Sequence, residues 1–363
     1  MLGGTGNFGA RIVRALQGLP GIELFASARR PRPIIGASGV ACVALDLGAE
    51  NFEQRLRALR PDLVIHCIGP FQGQDYRVVR ASLAAGAHYL DLADGRDFVA
   101  GFAAANDAAA RAAGRWAVTG ASTLPALSSA VVAQLKQGLQ SLEDIDIAIA
   151  PGQRAPRGDA TLAAVFSYLG RPVPVWEEGR WMRRWGWMGL RRIDFDFGRR
   201  WAALCDVPDL ALWPAHEPGL RRMRFAAALE IGVQHHALWL LAGLRRIGVP
   251  IPMERWAVRL ERCAKAFDTF AGDWGGMRVS VVGRNAEGAR LRHTWQLTAP
   301  ALNGPEIPCL AAILLARQWI NAGASGLPVS GAMPCMGLLQ LAQFDPEFAR
   351  LQIRTRIIEE PAP

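Results

Sequence analysis

Short apolar runs alternate with amphipathic segments over the first 150 residues of the chain. The apolar runs are rich in branched residues and are short enough to be buried strands. We predict strands over Ile22–Ala28, Val40–Leu45, Asp62–Ile68, His88–Ala93 and Trp116–Thr119. Between them, helical spacing of apolar residues predicts helices over Asn7–Leu16, Asn51–Leu59, Tyr76–Ala85 and Asp97–Ala113. This alternation predicts an α/β fold in which helices cover both faces of a doubly wound parallel sheet.

The pattern changes beyond Pro151. Apolar and polar residues alternate over Arg192–Phe197, which predicts a strand, and Met277–Thr298 resembles a hairpin that turns at Asn285–Gly288. Apolar residues dominate Ile307–Ala322, which predicts a helix. We therefore expect a second, mixed α+β domain over residues 122–363, after a first domain over residues 1–121. We also expect the segment at about residues 300–350 to pack back on the first domain.

A glycine-rich loop stands at the first junction between strand and helix. The residues Gly4-Thr5-Gly6-Asn7-Phe8-Gly9 match the spacing G-x-G-x-x-G. Glycines there permit a tight turn and a close backbone approach to a pyrophosphate, which then lies at the positive end of the helix. The loop and the alternation after it predict a Rossmann-type domain that binds a dinucleotide. Only Met1 and Leu2 precede the loop, so either the chain begins inside its first strand or the true start lies upstream.

The end of the second strand discriminates between NAD and NADP. An NAD site has an acidic residue about 20 residues after the loop, where it binds the ribose 2′-hydroxyl. This sequence has Arg29 and Arg30 there and no acid. Arginine pairs with the 2′-phosphate of NADP through two parallel hydrogen bonds. NADP is therefore favoured over NAD, with two solvated loop arginines as the alternative.

Five segments, taken in order and spacing, resemble the saccharopine dehydrogenase-like oxidoreductase family. They are Asp62–Gly73, Ala87–Gly95, Gly120–Ser128, Gly304–Pro308 and Ser330–Cys335. The resemblance covers most of residues 1–140 and extends loosely over the second domain. It implies a Rossmann domain that carries NAD(P) and a second domain that covers the nicotinamide.

The same resemblance implies roles for particular residues. Gly69 and Pro70 would lie beside the cofactor, where open α/β sheets bind their ligands. Asp46, at the end of the third strand, would approach the adenine. Asp91 and Asp94 would lie near the nicotinamide, where a carboxylate could relay protons during hydride transfer. The alternative for the last two is that they cap the following helix.

Composition excludes several classes of protein. Hydrophobic residues make up 51% and charged residues 20% of the chain, which excludes a disordered or fibrous protein. No two of the six cysteines form a C-x-x-C pair, so neither a disulfide scaffold nor a zinc ribbon is expected. This cysteine usage suits a reducing cytoplasm, and we predict no metal site. None of the three tyrosines has a lysine four residues later, which excludes the mechanism of short-chain reductases.

The net charge of +9 is confined almost wholly to the second part of the chain. Basic residues exceed acidic ones by 14 to 13 over residues 1–150 and by 27 to 19 beyond. Only two of the 41 basic residues are lysines, which indicates base-composition bias rather than a nucleic-acid surface. Trp181, Trp185, Trp187 and Trp201 lie among arginines, a pattern that suits nucleic acid, a membrane interface or an acidic ligand with an apolar tail. The alternative is a lid whose tryptophans pack on the core while its arginines stay in water.

These observations predict an NADP-dependent oxidoreductase with a small-molecule acceptor that is apolar and has an acidic or polar head. The apolar run Phe225–Val249, interrupted by several polar residues, is predicted to be a helix and not a membrane span. It leaves a lipid-handling protein at a membrane surface as one alternative. A non-catalytic NADP-binding regulator is another. A homodimer is left open, and no nucleic-acid partner is expected.

Overall fold

The structure is a computed structural model. It describes residues 1–156, 158–251, 256, 264–300, 302–322 and 330–362. Contacts divide the chain into two compact units. Unit 1 contains Met1–Leu127 and Pro305–Leu339, and unit 2 contains Ser128–Gly304 and Gln340–Pro363.

The strands and helices are numbered here in chain order. The strands are β1 Phe25–Ala28, β2 Ala41–Ala44, β3 Leu63–His66, β4 His88–Asp91, β5 Trp116–Thr119, β6 Ser141–Ala150, β7 Pro172–Glu177, β8 Arg180–Trp185, β9 Arg191–Phe195, β10 Gly198–Leu204, β11 Arg222–Ala228, β12 Trp274–Arg284, β13 Arg290–Pro300, β14 Gly331–Pro334 and β15 Arg354–Pro361. The helices are α1 Gly9–Leu16, α2 Phe52–Ala58, α3 Arg77–Ala84, α4 Arg96–Ala112, α5 Ser128–Leu135, α6 Asp159–Tyr168, α7 Asp209–His216, α8 Gly232–Arg246, α9 Ile307–Ala322 and α10 Asp345–Arg350.

Unit 1 is built on a parallel sheet. β2 pairs with β1, and β3, β4, β5 and β14 pair in that order. Leu2 joins the two halves, because it forms parallel bridges to both Ser27 and His66. Its N–H donates to the carbonyl of Ile65 at 2.8 Å. Met1 and Leu2 therefore lie at the centre of a Rossmann-type sheet, and the predicted fold class is confirmed.

The hydrophobic pattern accounts for the layers of unit 1. All four residues of β5 are buried, as expected for a parallel strand that is covered on both faces. On α1, Ile12, Val13 and Leu16 are buried at helical spacing. β14 lies in the segment that we expected to pack back on the first domain, and it pairs with β5 in parallel.

Unit 2 contains a large mixed sheet in the order β15-β13-β12-β6-β11-β10-β9, with β7 pairing with β11 and β8. β6 and β11 are parallel, whereas β12 is antiparallel to both β6 and β13. The predicted hairpin is present, since Trp274 pairs with Pro300 and Arg284 with Arg290. α5 packs against β12 and β13, and α7 packs against β7 and β11.

One predicted element is wrong. We expected a single helix over Phe225–Val249, but β11 continues to Ala228 and α8 begins only at Gly232. β11 is paired on both sides, by β6 and β10. An uninterrupted apolar run does not distinguish a buried strand from a buried helix, and here the pairing with β6 and β10 decides for a strand.

Candidate nucleotide-binding site

The glycine loop follows Leu2 directly and packs tightly on its surroundings. The N–H of Gly4 donates to the carbonyl of Ser27 at 2.9 Å, which ties the loop to β1. A Cβ atom on Gly4 would lie 2.8 Å from the Cβ of Ala26, and one on Gly9 would lie 2.2 Å from the oxygen of Gly3. Both positions require glycine because the neighbouring atoms belong to backbone or to a short side chain.

The N-terminus of α1 has the features of an anion site. Phe8 is the N-cap residue, and no side chain caps the helix. Among the described residues, the N–H groups of Asn7, Phe8 and Gly9 donate to no acceptor. Unpaired N–H groups at the positive end of a helix suit a phosphate. The loop therefore fits the pyrophosphate of a dinucleotide.

The side chain of Arg11 holds one side of the glycine loop in place. Its Nη1 donates to the backbone oxygen of Asn7 at 2.5 Å and to the Oδ1 of Asn7 at 2.6 Å. Its Nε lies 3.0 Å from a carboxylate oxygen of Glu306. The Arg11 side chain is largely buried by these contacts, so its charge is used in holding the loop.

The residues expected to discriminate between NADP and NAD, and the one expected to approach the adenine, lie at the carboxyl ends of β1 and β2. Arg29 and Arg30 directly follow β1, and both are exposed. Asp46 follows β2, is also exposed, and accepts a hydrogen bond from the N–H of Gly48 at 3.0 Å. In a parallel sheet these ends share one edge with the glycine loop.

The loop after β3 contains Gly69 and Pro70, joined by a cis peptide. Phe71 is buried, and its ring lies 5.0 Å from that of His66 and 5.4 Å from that of Phe98. Gln74 donates through Nε2 to the oxygen of Pro70 at 2.7 Å. Pro70 itself is exposed, so the buried Phe71 anchors a loop whose tip reaches solvent at the carboxyl edge of the sheet.

Asp91 ends β4 and is fully buried. Its Oδ1 accepts hydrogen bonds from the N–H of Ala93 at 2.9 Å, the hydroxyl of Thr119 at 2.9 Å and the N–H of Gly120 at 2.7 Å. Burial raises the pKa of Asp91 to about 6, although these hydrogen bonds oppose the shift. Asp91 thus joins the chain segments that leave β4 and β5.

Two further buried residues extend this polar group. The ring Nδ1 of His66 lies 2.9 Å from the hydroxyl of Tyr89. Burial lowers the pKa of His66 to about 3 and, together with the charge of Asp91, raises the pKa of Tyr89 well above its usual range. Sequence reasoning missed His66, Tyr89 and Thr119, although a polar residue inside a buried apolar run is a visible signal.

Asp94 lies three residues beyond Asp91 and is exposed. Its Oδ1 accepts a hydrogen bond from Nε2 of Gln72 at 3.3 Å, which links the loops after β3 and β4. The N-cap residue of α4 is Gly95, and no side chain caps that helix. The alternative that Asp91 or Asp94 caps α4 is therefore wrong.

Of the four tryptophans singled out in the sequence, three lie on strands of unit 2 and Trp187 follows β8. Trp187 is 2% exposed, whereas Trp181 is 49% exposed on β8. Trp185 ends β8, and Trp201 of β10 lies beneath the guanidinium of Arg192 at 4.8 Å. In the described ranges, no group of three or more His, Cys, Asp or Glu side chains is placed to hold a metal ion. None of the helices described is long and apolar enough to span a bilayer.

Several solved structures match the chain over almost its whole length, and two of them have a TM-score of 0.63. Saccharopine dehydrogenase (L-Glu forming) from Saccharomyces cerevisiae has 10% identity and a TM-score of 0.63, with 98% of each chain covered. The chain has the saccharopine dehydrogenase fold. Homospermidine synthase from Legionella pneumophila, solved in complex with NAD, has 11% identity and a TM-score of 0.63, with 99% of this chain and 90% of that chain covered. No protein-family model and no curated protein sequence matches the chain.

Proposed function

We propose that the protein is an NADP-dependent oxidoreductase that transfers a hydride to or from a small organic acceptor. The observation that carries this proposal is the glycine loop with its unpaired N–H groups at the start of α1. The fold shared with a dehydrogenase and with an NAD-bound synthase supports it. Bound nicotinamide would supply the hydride chemistry, and the chain would supply binding, orientation and proton transfer.

The preference for NADP is part of this proposal. Arg29 and Arg30 are exposed beside the loop and have no hydrogen-bonded or ion-paired partner within the described residues. Their charge would complement a 2′-phosphate, whereas NAD offers only a hydroxyl there. A charge-assisted hydrogen bond of this kind contributes about 1.5–3 kcal/mol. We expect Asp46 to lie nearer the adenine, at the end of β2.

The two aspartates differ in what they can do. Asp94 is exposed at the carboxyl edge of the sheet, and desolvation of its carboxyl by the surrounding protein raises the pKa of that group. We propose it as the group that moves a proton during the reaction. Asp91 is fully buried and holds the N–H groups of Ala93 and Gly120. Asp91 therefore positions the loops that shape the site, together with Gly69 and Pro70.

The acceptor in this proposal is apolar and has an acidic head. Basic residues exceed acidic ones by 27 to 19 beyond residue 150, which favours an acidic ligand over a basic one. Removing apolar surface of the acceptor from water would contribute about 25 cal/mol per Å².

The test compares NADPH and NADH by titration calorimetry in the intact protein, in Arg29→Ala and in Arg55→Ala. Arg55 is an equally exposed arginine on α2 and serves as the matched control. We expect NADPH to bind about tenfold or more tightly than NADH, and Arg29→Ala to remove most of that difference. Equal affinity for both cofactors would contradict the NADP preference. NADPH binding without oxidation by any acyl or carbonyl acceptor would favour a regulator instead.

A further inference from the structure

The outward side of α8 is apolar, although the outward side of a surface helix is usually polar. His235 and Ala242 are buried and mark the side of α8 that packs on unit 2. The opposite side carries five apolar residues, here called the α8 stripe: Val233, Ala237, Leu240, Leu244 and the C-cap residue Ile247. Val233 is 69% exposed, Leu240 is 58% exposed and Ile247 is 75% exposed.

The α8 stripe runs along the whole helix. An α-helix rises 1.5 Å per residue, so the distance from Val233 to Ile247 is about 21 Å. α8 contains no Asp or Glu, and its basic residues Arg245 and Arg246 lie in the last turn. Extended apolar patches that are bordered by polar residues mark interaction sites on protein surfaces. The α8 stripe therefore fits a partner that offers an apolar surface.

A second exposed surface, on the ribbon of β7 and β8, combines aromatic and basic side chains. Pro174 pairs in register with the exposed Arg183, and Trp176 pairs with Trp181, which is half exposed. Residues in register share one face of a sheet, and so do residues two apart along a strand. Trp185, two residues beyond Arg183, therefore lies on the same face.

This ribbon adjoins α8 at Trp185. The guanidinium of Arg246 lies 5.3 Å from the centre of the Trp185 ring, in a cation–π contact. Arg171 is exposed just before β7, and its carbonyl accepts a hydrogen bond from the N–H of Gly186 at 2.9 Å. The chain thus brings three exposed arginines near Trp185, from the loop before β7, from β8 and from α8.

The charge around Trp185 identifies the kind of partner. The two acidic residues of the ribbon, Glu177 and Glu178, pair with Arg184 and Arg180. In the part of the chain that the structure describes, the three arginines near Trp185 form no ion pair. A second copy of this surface has no free carboxylate to offer them, so charge does not favour self-association. The surface instead complements a partner that is both negatively charged and apolar.

We propose that the α8 stripe, together with Trp181, Trp185 and the neighbouring arginines, binds the surface of an anionic lipid bilayer. The apolar side chains would lie at the boundary between headgroups and acyl chains, with the tryptophan rings at the level of the headgroups. The arginines would bind lipid phosphates. No nicotinamide takes part, so this proposal does not rest on the proposed function.

The experiment measures sedimentation of the intact protein with vesicles of phosphatidylcholine and with vesicles that also contain phosphatidylglycerol. We expect binding to the anionic vesicles to be tighter by about tenfold or more, and to weaken as salt is added. The double variant Leu240→Gln, Ile247→Gln should weaken that binding by about tenfold or more. Arg183→Gln should weaken it by about fivefold.

The matched controls are Ile35→Gln and Arg55→Gln, at exposed residues of unit 1. Each control should change vesicle binding by less than about twofold, because isolated surface side chains contribute little. All of these variants should keep the melting temperature and the NADPH affinity of the intact protein, since the substituted side chains are exposed. A double variant that melts far lower would show that the α8 stripe is covered in the folded protein, and would overturn the proposal.

Failure of the intact protein to sediment with anionic vesicles would also overturn it, and so would equally tight vesicle binding by the double variant. A lipid-free dimer that the double variant converts to a monomer, without vesicle binding, would show that a second copy covers the α8 stripe. Binding of polyglutamate without binding of vesicles would indicate an acidic protein partner. Each of these two results would contradict a bilayer. Loss of NADPH binding alone would contradict only the proposed function.

Discussion

Gly9→Ala tests how tightly the glycine loop is built. The added Cβ would lie 2.2 Å from the oxygen of Gly3 and 2.9 Å from the Cα of Gly4, where an ordinary contact needs at least 3.4 Å. The loop and the start of α1 would have to separate by more than about 1 Å, and overpacking of this kind costs about 1–3 kcal/mol. The higher helix propensity of alanine offsets up to about 1 kcal/mol of this destabilisation. We expect a net destabilisation, and a weakening of NADPH binding by about tenfold or more as the N–H groups of α1 move.

The assay pairs urea unfolding with calorimetric titration of NADPH. Gly243→Ala is the matched control, because Gly243 also lies in a helix and an added Cβ there would meet no atom within 4 Å. The control should leave NADPH affinity unchanged and stabilise the protein by up to about 1 kcal/mol. If Gly9→Ala were as stable as the intact protein and bound NADPH equally well, the close approach of Gly9 to Gly3 would be irrelevant to the site.

Two further substitutions address the buried groups behind the site. Burial raises the pKa of Asp91 to about 6, so protonation favours the folded state and the free energy of unfolding should fall as the pH rises from about 4 to about 6. Asp91→Asn should remove this dependence, which is on the order of 3 kcal/mol, and urea unfolding at both pH values checks it. Phe71→Ala should lower stability by about 3–5 kcal/mol in thermal unfolding, whereas Ile35→Ala, at a residue 93% exposed, should not. An unchanged pH dependence in Asp91→Asn, or an equal loss at Ile35, would refute the respective expectation.

The sequence predicted best two elements in which apolar residues predominate. Trp116–Thr119 and Ile307–Ala322 have the predicted bounds, because each is an apolar run that ends at a polar residue, glycine or proline. β1 to β4 lie inside their predicted ranges and are shorter by two or three residues, whereas no strand was predicted for β14. Strand ends depend on where the neighbouring strand stops pairing, and that is not a local property of the sequence.

Two features depended on distant partners and could not be predicted locally. The first four residues of Phe225–Val249 form a strand only because β6 and β10 pair with them. Asp91 was expected to serve the nicotinamide, and the sequence gives no sign of its contacts with Thr119 and Gly120, 28 and 29 residues away. The sequence motif therefore predicted that both aspartates lie at the carboxyl edge of the sheet. Only the register of β4 and β5 shows that Asp91 is buried whereas Asp94 is exposed.

The charge of unit 2 is a second example of a feature that the sequence alone does not explain. A surplus of arginine in the second part of the chain has no meaning by itself, since genomic base composition produces it as readily as function does. The strands of unit 2 give it one, because several of these arginines pair with a carboxylate of another strand, as Arg191 of β9 does with Asp146 of β6 and Arg292 of β13 with Glu360 of β15. Arg224 and Arg278 lie in the same rows, and the charge of Asp146 acts on both guanidiniums. The register of the strands therefore gives these arginines a structural role that the sequence alone does not show.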